Sequence, residues 1–120
     1  MNTASSSILD LEDLLNRVDD DRELLAELFL IFKTVFPAHL QRLSEAVNGE
    51  SATQVETESH TLKGMLLNLS APRAAAAASE LERLGRDHSI GSMKVAFAGF
   101  QAEAEALLSQ MDECVIELRP

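Results

Sequence analysis

From residue 93 to residue 118, apolar side chains recur at steps of three or four: Met93, Phe97, Phe100, Ala104, Leu107, Met111, Cys114 and Leu118. Such steps place all eight on one face of an α-helix. A helix with one apolar face must bury it against other elements. The same spacing recurs upstream. Leu25, Leu28, Phe29, Phe32, Val35, Phe36, Leu40, Leu43 and Val47 predict a long helix that starts in the acidic stretch VDDDRE and runs to about Val47. Pro37 lies inside it and removes one backbone hydrogen bond. The helix therefore either bends near Lys33–Pro37 or breaks into two there. No strand-like alternation and no internal repeat interrupts the helical pattern. The expected fold class is all-α: an up-and-down antiparallel four-helix bundle with a short N-terminal capping helix.

Local signals divide the chain further. Asp10 is an N-cap for a short first helix over 10–17, with Leu11, Leu14 and Leu15 on one stripe. Asn48 and Gly49 suit a left-handed cap at the end of the second helix. Ser51 and Gln54 have the spacing of a capping box for the third helix, which reaches about Leu69. Ser70 can cap the fourth helix, and Pro72 is tolerated in its first turn. That helix is alanine-rich, admits a close neighbour, and ends near Gly85. DHSIGS is then a loop, and the fifth helix begins near Ser92.

The chain has 120 residues and a formal net charge of −10. The length suits one domain over 1–120, with residues 1–7 as a polar, disordered tail. Its polar start after Met1 fits a free-standing protein without a signal peptide. No apolar run reaches the ~18 residues that cross a bilayer, so no membrane segment is expected. The acidic balance argues against nucleic acid as a partner. The single cysteine, Cys114, cannot form an internal disulfide and reads as a small buried apolar residue; a cytoplasmic location fits.

The third helix carries the chemistry. Val55, Leu62, Leu66 and Leu69 share a narrow sector that must face the core. His60 falls almost opposite, beside Glu56, Thr57, Lys63, Gly64 and Leu67. That position argues against a core histidine, which leaves an ordinary solvated histidine or a functional one. Lys63, one turn on, repels a protonated ring and so favours an imidazole with a nucleophilic lone pair. Its ammonium also suits a phosphoryl group on that ring. Gly64 leaves room beside His60 at a helix-propensity cost of about 1 kcal/mol. Leu67 is an apolar contact for a partner. A histidine in this setting can carry a phosphoryl group covalently. No Gly-rich phosphate loop is present, so donor and acceptor would both be other proteins.

The remaining candidates read as structural. His39 and His88 lack a lysine–glycine neighbourhood and are expected to be solvated or end-capping. Glu80, Glu82, Glu103 and Glu105 are expected on solvated helix faces, and no metal site is expected.

HTLKG followed by NLSA resembles the signature of histidine-containing phosphotransfer (Hpt) domains of bacterial two-component phosphorelays. LLAELFLIFKTVFPAHLQRLSEAVNGES and AAASELERLGR resemble the flanking helices of that family, so the resemblance covers nearly the whole chain. It implies that His60 is the phosphoacceptor through Nε2, that Lys63 stabilises the phosphoryl group and that Gly64 gives clearance. The partners would be receiver domains of response regulators and hybrid histidine kinases, which supply the aspartate and Mg²⁺. This chain itself would hold no cofactor. The partner-binding set is then Glu56, Thr57, Thr61, Gly64 and Leu67, on a monomer. Met65 and Leu66 stand where the family is usually small, and Ser70 where glycine is frequent. Two other readings stay open: a module that docks receivers and regulates by occupancy alone, and, more weakly, a phosphatase or kinase dimerisation domain.

Overall fold

The computed structural model describes residues 7–118, in which five helices follow one another: α1 (Leu11–Arg17), α2 (Arg22–Asn48), α3 (Ala52–Asn68), α4 (Pro72–Arg86) and α5 (Ile90–Leu118). The described residues contain no strand. α3 packs most extensively on α4, α4 on α5, and α2 on both α3 and α5, so these four close a ring around one core. α1 lies against α2. The expected tail falls outside the described residues except for Ser7, whose carbonyl accepts from the Arg73 backbone N–H at 3.4 Å.

The core follows the apolar stripes. All eight stripe residues of α5 are buried. Phe32 and Phe36 of α2 stack with ring centroids 4.8 Å apart, and Phe36 meets Phe100 of α5 at 6.5 Å. Leu62 and Leu66 of α3 are fully buried, each worth about 1.5–3 kcal/mol of transfer free energy. Leu66 shares this core with the small buried side chains of α4, Ala74, Ala75 and Ala78. Met65 is half-buried against the same core. Val35 departs from its expected stripe and is exposed. Cys114 is buried as expected, and burial pushes its thiol pKa up, assisted by Glu117 and Glu113. α2 runs unbroken through Pro37.

The helix ends correct several expectations. Asp10 does cap α1, accepting from the Asp13 N–H at 3.1 Å. Ser51 is the N-cap of α3, but its side chain makes no capping bond, so the Ser51–Gln54 box is not formed. Gly49 is not the left-handed residue: its φ is −82°, and the turn is taken at Glu50 with φ 54°. The Glu50 N–H donates to Val47 O and the Ser51 N–H to Ala46 O, the paired bonds of a Schellman closure. Ser70 closes α3 in the same way at φ 50°, and His88 closes α4 at φ 56°. Ser70 therefore ends α3 instead of capping α4, whose N-cap is Ala71. The hydroxyl of Ser70 donates to the Asp13 carboxylate and its carbonyl accepts from the Asp10 N–H, which ties α1 to this turn. α4 continues to Arg86 and α5 starts at Ile90, because the Schellman closure turns the chain within Asp87–Ser89.

Candidate functional site

Gly85 sets the geometry of the site. A Cβ built on it would lie 2.6 Å from Glu56 N and 2.7 Å from Ala52 O, both backbone atoms of α3. The two helices therefore touch backbone to backbone there, which only glycine allows. They run in opposite directions at this contact, so one turn back along α4 meets one turn forward along α3. Those positions are Glu82 and His60.

The His60 side chain is 69 % exposed and the Glu82 side chain 10 %. His60 Nδ1 lies 2.9 Å from Glu82 Oε2. A carboxylate only accepts, so Nδ1 carries the proton and donates it, and the Nε2 lone pair is left facing solvent. Lys63 reaches the other oxygen of the same carboxylate, Nζ to Oε1 at 2.6 Å. The Lys63 ammonium holds the Glu82 carboxyl below the ordinary carboxylate range against the opposing effect of burial, and His60 adds to the lowering. A carboxylate this buried needs such partners to stay ionised.

Glu82 is the residue that sequence reasoning missed. It was expected on a solvated face, and it is buried. A signal was present: Ala75, Ala78, Glu82 and Gly85 recur at helical steps, which aligns Glu82 with the small residues that face α3. Glu80 and Glu105 are exposed, and Glu103 pairs with Arg73. Lys63 was expected to act on the ring by repulsion; in the folded protein the two groups share an anion instead.

The other expected site residues divide. Glu56, Thr57, His60, Thr61 and Glu82 line one shallow depression. The Thr57 and Thr61 hydroxyls donate to the carbonyls one turn back, Thr53 O at 3.0 Å and Thr57 O at 3.2 Å. Nothing lies within 4 Å of a Cβ built on Gly64, so the space beside His60 is open. Leu67 is 52 % exposed but lines a separate hollow with Asp13, Arg17 and Ser70. His39 contacts Arg42 through Nδ1 at 2.9 Å, away from the site. Among the described residues no group of histidine, cysteine and acidic side chains has the geometry of a metal site, and no helix is long and apolar enough to cross a membrane.

An exposed, tautomer-fixed histidine with an adjacent ammonium can act as a nucleophile toward a phosphoryl group and neutralise the charge it gains. Comparison with curated proteins and with solved structures gives no match. The family model described as Hpt domain matches residues 27–114, which span α3, α4 and most of α2 and α5. The chain therefore belongs to the Hpt domain family, whose members carry out histidine phosphotransfer in two-component phosphorelays.

Proposed function

We propose that this chain is a phosphocarrier that takes a phosphoryl group from a receiver-domain aspartate onto His60 and passes it to another receiver domain. The observation that carries this reading is the buried Glu82 carboxylate, which holds Nδ1 of an exposed histidine and leaves Nε2 outward. In the transfer, Nε2 supplies the electron pair for the new N–P bond. The P–O bond of the aspartyl phosphate breaks, and its bonding pair leaves with the aspartate carboxylate. The Nδ1 proton stays in place. The ring becomes cationic, and Glu82 neutralises it through the hydrogen bond already made.

Lys63 neutralises the phosphoryl oxygens, and Gly64 is the opening through which the receiver approaches. Glu56, Thr57 and Thr61 form the adjoining rim, with Leu67 as an outlying apolar contact. Mg²⁺ would come with the receiver. The scaffold is an up-and-down antiparallel four-helix bundle that works as a monomer without an ATP site. Docking by occupancy alone would require neither the fixed tautomer nor the paired ammonium.

The test is a phosphotransfer profile of this protein against the phosphorylated receiver domains of its source organism. Acid-labile, base-stable label is expected on the wild type and none on His60→Gln. Label that persists in His60→Gln would refute the assignment. Lys63→Ala should slow transfer about tenfold, the effect of losing one charge-assisted contact.

A further inference from the structure

Arg86 occupies the last turn of α4, one turn beyond Glu82. Its Nη2 lies 3.8 Å from Glu82 Oε2 and its Nε 3.7 Å from Glu56 Oε2. Both separations exceed a direct hydrogen bond, and the side chain is 56 % exposed. Arg86 is thus a loosely held cation poised between two carboxylates. Lys63 is the opposite case, seated on Glu82 at 2.6 Å.

That seat creates a conflict, given the reading of His60 as the phosphoacceptor, on which this inference rests. The same ammonium is asked to neutralise Glu82 and the phosphoryl group. Phosphorylation makes the ring cationic, which serves Oε2, but Oε1 loses its cation when Lys63 turns away. Depriving a buried carboxylate of a partner is strongly unfavourable. Arg86 can supply the replacement. From i+4 its planar guanidinium reaches the carboxylate without any backbone movement, and its fork matches the two oxygens.

We infer that Arg86 is the exchange counter-ion of the site: it closes on Glu82 as Lys63 leaves for the phosphoryl group, and so makes Lys63 available. Arg86 is a positioning residue in this scheme and acts through Glu82. Glu56 holds it in reserve in the unphosphorylated protein.

The experiment uses phosphoramidate as a small phosphodonor, so that no partner protein contributes side chains. Phosphohistidine formation is followed by ³¹P NMR in the full chain, with His60→Gln as the site control. Arg86→Ala should slow labelling about tenfold, as Lys63→Ala does. The Lys63→Ala/Arg86→Ala double variant should be no slower than Lys63→Ala, because both act on one event. Arg86→Lys should restore part of the rate, because lysine brings the charge without the fork. In a Glu82→Gln background, where Lys63 has no anion to leave, Arg86→Ala should have no effect. A purely structural arginine would show neither this dependence on Glu82 nor rescue by lysine. Arg86→Gln, read the same way, stands in should Arg86→Ala fold poorly.

Wild-type labelling in Arg86→Ala, additive losses in the double variant, or a loss that persists in Glu82→Gln would each overturn the exchange. If label vanishes in His60→Gln while Arg86→Ala behaves as wild type, the exchange falls and the phosphoacceptor stands. Label retained in His60→Gln ends both.

Discussion

Adding one methyl group at two different glycines should change stability in opposite directions. At Gly85 the new Cβ would sit 2.6 Å from Glu56 N and 2.7 Å from Ala52 O. Ordinary contact begins near 3.4 Å, so α3 and α4 would have to part by roughly 0.8 Å. Both obstacles are backbone and cannot rotate aside. Overpacking of this kind costs about 1–3 kcal/mol, and a backbone clash lies at or above the upper end. The alanine returns about 1 kcal/mol of helix propensity. The net expectation for Gly85→Ala is a loss of about 2 kcal/mol, a fall of about 8 °C in Tm for a domain of this size. Gly64 has nothing within 4 Å and a negative φ, so Gly64→Ala keeps only the propensity gain. It should melt about 4 °C higher than wild type while accepting phosphate from a receiver more slowly. Thermal and urea unfolding followed by far-UV circular dichroism measure both. A Gly85→Ala protein that melts at or above wild type would refute the close approach, and with it the account of how Glu82 is brought to His60.

Three further expectations follow from named groups. The folded-state pKa of Glu82 lies below its ordinary value of 4.5, so the stability its ion network supplies is complete above that pH and is lost as pH falls through the lowered folded value. The stability difference between wild type and Glu82→Gln should shrink as pH falls below about 4.5; a difference that grows on acidification through that region would contradict the sign. The Ser59 hydroxyl is fully buried on α3 and makes no hydrogen bond among the described residues, so Ser59→Ala should be neutral or stabilising by up to about 1 kcal/mol in urea titration. Glu50 takes φ 54°, which a side chain adopts at a penalty, so Glu50→Gly should raise stability by up to about 1 kcal/mol by the same titration, net of the added freedom of the unfolded chain.

Much of this protein is determined by the sequence alone, because residues within one helix are related by a fixed rotation of about 100° per position. That rotation places Leu62 and Leu66 in the core and His60, Gly64 and Leu67 outside, and the structure has them there. It also assigns all eight buried residues of α5. Helix ends were less legible. A Schellman closure requires one residue at positive φ but not glycine in particular, so Glu50, Ser70 and His88 gave no compositional sign of their turns. The surroundings of His60 were the least legible. The stripe of Ala75, Ala78 and Gly85 turns Glu82 toward α3, but which residue of α3 it meets depends on how α4 slides along α3, and no periodicity within either helix carries that register. Backbone contact at Gly85 sets it. The tertiary structure alone turns a glutamate on an alanine-rich helix into the group that fixes the tautomer of His60 and holds Lys63 beside it.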